Sequence, residues 1–153
     1  MGQRKGRSFD FEALADFRYE IRRFLNFSQQ GARAAGIEPH QHQALLVIKG
    51  LRHDAKPTVG LLAERLQIRH HSAVELSDRL ESQGLIRRSR SAADRREVLL
   101  ALTPRGEKLL QRLTLSHHTE LRTVGPSLLR ALEAVIGHEK RSRRSRRRAK
   151  GNR

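Results

Sequence analysis

At Gly84 the spacing of apolar residues changes. Before it, apolar side chains recur every three or four positions; after it Val98, Leu100 and Leu102 alternate, and helical spacing returns beyond Thr103. A period of 3.6 belongs to helix and a period of 2 to strand, so the pattern predicts one short β-hairpin within a mainly α chain. Leu85 and Ile86 lead into Arg87, Arg88 and Arg90, the small residues Ser91 to Ala93 make the turn, and the alternating residues form the return strand. The hairpin therefore has a positively charged end.

Around it the helices are delimited by their caps. Phe11, Leu14, Phe17, Ile21, Phe24 and Leu25 form one stripe of a long first helix that ends between Gly31 and Gly36. Pro39 opens a second, with Leu45, Leu46, Ile48 and Leu51 on its buried side, and His53 to Pro57 break it. Thr58 caps a third, in which Ala63 is small enough for close approach. A turn at Gln67 to His70 leads to a fourth over Ser72–Ser82, with Ala73, Leu76 and Leu80 inward and Gly84 as the stop. Thr103 and Pro104 start a helix whose Leu109, Leu110, Leu113, His117, Leu121 and Val124 share a face. Gly125 and Pro126 are expected to end it, before a last helix over Ser127–Ile136.

The expected organisation is a disordered basic N-terminus (1–8), a single domain (9–139) and a disordered Arg-rich tail (140–153). Within the domain, helices of about 10–36 and 104–137 flank a unit of about 38–103. The tail holds nine basic residues and no acid, too little apolar surface to bury. The apolar stripes of the flanking helices need a partner. Phe11, Leu14, Phe17, Ile21, Phe24, Leu128, Leu132 and Val135 are candidates for a homodimer interface, with ordinary core packing as the alternative.

Charge narrows the partner. Lys and Arg number 32 against 16 Asp and Glu, a net +16 over 153 residues, and subtracting the tail's nine charges still leaves +7. The counterpart should be a polyanion. All six aromatic residues lie within the first 27 positions, so the basic remainder lacks the stacking platforms of single-strand and RNA readers, and double-stranded DNA fits better. There is no cysteine, which excludes disulfides and thiolate zinc sites and makes the cytoplasm the default compartment. No segment approaches the roughly 20 apolar residues of a membrane span.

Two short helices joined by a tight turn and followed by a basic hairpin make the plan of a winged helix-turn-helix. Its second helix enters the major groove, and its wing reaches a minor groove whose negative potential attracts arginine. Candidate DNA contacts are Arg69, His70, His71, Ser72, Glu75 and Arg79 on the second helix, and Arg87, Arg88, Arg90, Asp94, Arg95 and Arg96 on the wing. A solvated hairpin and an exposed turn are the bland alternatives. The run Leu61 to Leu66, with Asp78 to Glu81, Gly84-Leu85-Ile86 and Asp94-Arg95-Arg96 through Leu102-Thr103-Pro104-Arg105-Gly106, resembles the MarR (multiple antibiotic resistance regulator) family. The last stretch is similar to that family's D-x-R…L-T-x-x-G pattern.

The resemblance implies a mainly α winged helix-turn-helix with a two-stranded wing between dimerisation helices. It also implies a repressor on a pseudopalindromic operator, released by a small aromatic or phenolic effector. Arg96 takes the place of the wing arginine, with Asp94 expected to orient it through a charge-assisted hydrogen bond. His70 and His71 stand where the family carries small polar residues. Glu75 replaces a basic or neutral side chain and would need a cytosine amino group or Arg79 as partner.

Other functions are weaker. The histidine pairs His40/His42, His70/His71 and His117/His118 suggest metal, but adjacent helical residues do not face one another, and none is expected. No phosphate loop, cysteine nucleophile or paired carboxylate supports catalysis, so no enzyme and no cofactor are expected. An architectural or RNA-associated basic protein is the remaining alternative, resting on the tail.

Overall fold

The computed structural model describes residues 10–51 and 55–150, with side chains as far as Gly137. Seven elements follow in order: α1 (Phe11–Ala34), α2 (Pro39–Gly50), α3 (Val59–Leu66), α4 (His70–Ser82), β1 (Ile86–Arg90), β2 (Val98–Leu102) and α5 (Pro104–Lys150). Contacts divide the chain into two units, Ser28–His117 and the remainder on either side of it, where the sequence suggests one domain.

In the Ser28–His117 unit, Leu45 and Ile48 of α2, Leu62 of α3, Leu76 and Leu80 of α4, Ile86 and Leu100 of the hairpin, and Leu109, Leu110 and Leu113 of α5 form one buried cluster. The predicted stripes of α2, α3, α4 and the first turns of α5 each supply part of it, whereas the stripe predicted for α1 supplies none. β1 and β2 pair antiparallel with Ile86 opposite Leu102 and Arg90 opposite Val98. The segment before α3 adds a bridge at Thr58–Leu99, and the Leu100 amide donates to the Pro57 carbonyl at 2.7 Å. The hairpin is thereby held to the helix-turn-helix as well as to itself.

Caps account for the short helices. Thr58 Oγ1 accepts from the Leu61 amide at 3.2 Å, as expected of the α3 cap. At the end of α3 the Ile68 amide reaches back to the Ala63 carbonyl at 3.0 Å, which turns Gln67 into the left-handed region at φ 54°. The same closure ends α4, where Leu85 donates to Leu80 and Gly84 takes φ 68°. Gln67 does without glycine what Gly84 does with it.

Several boundaries depart from the sequence reading. α4 starts at His70 rather than Ser72, because Arg69 already has the extended backbone of an N-cap. Leu46 is exposed, and the α2 face turned inward carries Gln41, His42, Ala44, Leu45 and Ile48 instead. α5 does not stop at Gly125-Pro126 but runs on with Pro126 inside it. A proline removes one backbone bond, and the apolar stripe Leu121, Val124, Leu128 and Val135 keeps one helical phase across it. The helix likewise extends over 140–150, where disorder is the expectation from composition. Arg and Lys propagate a helix well once it is nucleated, and cations suit its C-terminal end. The expectations for residues 1–8, His53 and 151–153 lie outside the described residues.

In the second unit, up to Phe27 and from His118 on, Ala13 and Val124 are the buried apolar residues among those described. Leu14, Tyr19, Leu25, Leu129, Leu132 and Ile136 are exposed, and Phe11 is 75% exposed. Phe17, Ile21, Phe24, Leu128 and Val135 are half-buried. No described helix is long and apolar enough to cross a membrane.

Candidate nucleic-acid interface

α4 is oriented by its buried side. Ala73, Leu76, Ser77 and Leu80 face the core, and Ser77 Oγ is satisfied by the Ala73 carbonyl at 2.7 Å. At 100° per residue the face opposite this stripe carries His71, Glu75, Asp78 and Ser82. Ser72 and Arg79 lie toward α2, where with Glu38, His40, Gln41 and Gln83 they line a cavity of about 420 Å³. Of the six helix candidates, Arg69, His70, His71, Glu75 and Arg79 are exposed and Ser72 is half-buried. No hydrogen bond or ion pair joins Glu75 to Arg79 among the described residues, so that suggested pairing is absent.

The wing sorts its arginines by strand face. Arg87 points away from the face that buries Ile86, and Arg90, Arg95 and Arg96 are exposed. Arg88 lies on the Ile86 face and turns back onto α4. Its Nη2 donates to Asp78 Oδ1 at 2.5 Å and to the Val74 carbonyl at 3.3 Å, its Nε lies 3.5 Å from Glu81 Oε2, and its amide donates to Glu81 Oε1 at 3.2 Å. Arg88 is thus a clamp between the wing and α4 rather than a free cation. Asp78 and Glu81, absent from the sequence candidates, are its anchors. The signal was available: an acid pair three apart on the helix that precedes an alternating basic strand.

Asp94 also differs from expectation. Its Oδ1 accepts from the Arg96 backbone amide at 2.9 Å, not from the guanidinium, and the Glu97 amide donates to the Asp94 carbonyl at 3.0 Å. The aspartate shapes the turn that presents Arg96, because an Asx turn satisfies the amide two residues on. The Ser91 amide donates to the Glu97 carbonyl at 2.9 Å, and Lys56 Nζ donates to Glu97 Oε2 at 2.8 Å, closing the loop and tying its base.

The wing's root is fixed to α5 by one residue. Thr103 Oγ1 donates to the Gly84 carbonyl at 2.6 Å and accepts from the Gly106 amide at 3.1 Å, while the Thr103 amide donates to the Leu85 carbonyl at 3.0 Å. A Cβ on Gly106 would sit 2.1 Å from Leu85 O. That contact is the physical reason for a threonine followed three residues later by glycine.

Two further features belong to the same unit. His42 of α2 is buried with its ring centroid 4.9 Å from that of His117 on α5, and burial together with the His117 charge holds it below its ordinary 6.5. Among the described residues no group of three or more metal-ligating side chains converges. A cavity of about 980 Å³ opens beside Ile37, Gln83, Leu85 and Leu109, with Arg105, Lys108 and Arg112 along its α5 wall.

Residues 35–97, which contain the helix-turn-helix and most of the wing, match the MarR family. The chain is 33% identical over 72 residues to the HTH-type transcriptional repressor MdtR of Bacillus subtilis (strain 168), covering 47% of this chain and 44% of MdtR. It is 28% identical over 107 residues to the HTH-type transcriptional regulator PapX of Escherichia coli, covering 70% of this chain and 65% of PapX. The matched stretches thus span less than two thirds of either relative. Among solved structures it is similar to MepR, a transcription regulator of the Staphylococcus aureus multidrug efflux pump MepA, with a TM-score of 0.68 at 22% identity over 88% of this chain and 98% of that one. Sequence match and fold agree on the helix-turn-helix and its wing, and over residues 35–97 the chain is similar to the MarR family.

Proposed function

We propose that this chain is a sequence-specific double-stranded DNA-binding transcriptional regulator, a repressor that acts as a homodimer in the cytoplasm by binding rather than by catalysis. One observation carries the reading: the outward face of α4, with His71 and Glu75, stands beside a wing whose Arg95 and Arg96 are exposed, in a domain similar to the MarR family. The names of MdtR and PapX as transcriptional repressor and regulator support it.

In this reading α4 lies in the major groove, with His71 and Glu75 at base edges and His70, Ser72 and Arg79 at its margins. Arg69, Arg87, Arg90 and Arg95 hold phosphates, and Arg96 enters the minor groove. Arg88 contributes by fixing the angle of wing to helix, and Asp94 by shaping the turn. The 980 Å³ cavity suits a small aromatic or phenolic acid: Arg105, Lys108 and Arg112 would face its carboxylate, and Ile37, Leu85 and Leu109 its ring. Because Gln83 and Leu85 border that cavity at the root of the wing, an occupant that fits one wing position better than another shifts DNA affinity.

The experiment is selection of bound fragments from genomic DNA, followed by titration of the enriched duplex against a scrambled one at fixed salt. Arg96→Ala should weaken the specific complex by roughly 1–3 kcal/mol with thermal stability nearly unchanged. Failure to enrich any sequence, or equal affinity of variant and wild type, would overturn the reading.

A further inference from the structure

The 140–153 segment is not used by the reader described above, yet it carries nine of the chain's 32 basic residues. α5 extends through Lys150, which places eight of these cations (Lys140, Arg141, Arg143, Arg144, Arg146, Arg147, Arg148 and Lys150) on eleven helical residues. At a rise of about 1.5 Å per residue this is one positive charge per roughly 2 Å of helix axis. Duplex DNA carries one negative charge per about 1.7 Å. We propose that the C-terminal turns of α5 form a second DNA-binding element, one that lies along the phosphate backbone of duplex outside the sequence-specific site.

The composition of the segment chooses the partner. It contains no aromatic residue, so it offers no stacking surface for single-stranded nucleic acid. Ala149 is its one apolar residue, so it has no face to insert into a lipid surface. Over the helical positions 140–150 cations occupy all but Ser142, Ser145 and Ala149, which distributes charge around the helical phase and leaves no pattern for reading bases. What remains is a rod of positive charge matched in density to a rod of phosphate. The same charges repel one another at spacings of three and four along the helix, as in Arg141/Arg144 and Arg144/Arg148, and beyond Glu139 no acid offsets them. Phosphate removes that repulsion, so duplex binding consolidates the helical backbone it uses.

This element is independent of operator recognition, and its test needs no operator. The full chain and a full-length variant with Arg141, Arg143, Arg144, Arg146, Arg147 and Arg148 all changed to Gln are titrated into a random-sequence 30-base-pair duplex between 50 and 200 mM KCl. Each neutralised phosphate adds about 0.9 to the log-log salt slope, so engagement of about four should make the variant's slope shallower by about 3 to 4. Amide exchange over 140–150 in the wild type should slow when the random duplex is added. An unchanged slope, no slowing of exchange, or equally tight wild-type binding to single-stranded RNA or to vesicles of anionic phospholipid would overturn the proposal. Failure to enrich a genomic sequence would count against the regulator and leave this result standing.

Discussion

A methyl group on Gly106 has nowhere to go, because the Leu85 carbonyl oxygen already lies 2.1 Å from where its carbon would be, and both groups are backbone. Gly106→Ala must push the first turn of α5 off the root of the wing and break the Thr103 bonds to Gly84 and Gly106. A loss of about 3 kcal/mol is expected, read as a lower urea midpoint at unchanged slope; an unshifted midpoint would show that the root tolerates displacement. His42 gives a pH dependence with a definite sign. Its folded value is depressed by burial first and by His117 second, while the unfolded chain titrates near 6.5. Neutral His42 therefore suits the folded state, and its contribution is complete above pH 6.5. As pH falls below 6.5 the unfolded chain takes up the proton first, and stability declines until the depressed folded value is passed. Urea midpoints from pH 7.5 to 4.5 should fall more steeply for the wild type than for His42→Gln; parallel curves would remove His42 as the cause.

Arg88 adds a polar tie between the wing and α4 to the packing that already joins them, and the pair is partly exposed, with Asp78 more open than Arg88. Its coupling should accordingly be modest, about 0.5–1 kcal/mol in a double-mutant cycle of Arg88→Ala with Asp78→Ala, and zero coupling would deny the clamp. This clamp also marks how far the sequence was legible. Periodicity placed every element of the helix-turn-helix and the hairpin, because burial on one face imposes a period that survives in one dimension. It could not tell Arg88 from Arg87, since their difference is which strand face meets α4, a tertiary fact. Nor could it tell that Asp94 bonds the Arg96 amide rather than its guanidinium, because both readings need the same aspartate. Pro126 misled for the opposite reason: a local rule about proline was outvoted by an apolar stripe that keeps its phase for several turns on both sides. Restoring the missing backbone bond with Pro126→Ala should raise stability by about 1–3 kcal/mol, measured by thermal melting, and an unchanged or lower midpoint would mean that the ring is itself packed.

At the scale of the molecule, the two units differ in how their apolar surface is disposed. Ser28–His117 encloses a core drawn from six elements besides the end of α1, as a domain that folds on its own contacts should. The other unit buries little beyond Ala13 and Val124 among its described residues and leaves Leu14, Leu25, Leu129, Leu132 and Ile136 exposed, with Leu129 at 61%. An exposed set of this size on one helical face each of α1 and α5 calls for cover, and a second copy brings the same two faces in two-fold symmetry. Light scattering should give twice the 17.5 kDa of the chain. Leu128→Glu with Leu132→Glu, both on the α5 stripe that continues past Pro126, would place two carboxylates in the proposed interface and should yield a species of chain mass. Because the reader has its own core, that species should keep the cooperative unfolding of the Ser28–His117 unit while losing operator affinity by far more than the wing variant Arg96→Ala. A two-fold pair binds two half-sites about 34 Å apart, and a single reader has one. A wild type of chain mass, or a double variant that still sediments as a dimer, would place the cover of this surface elsewhere.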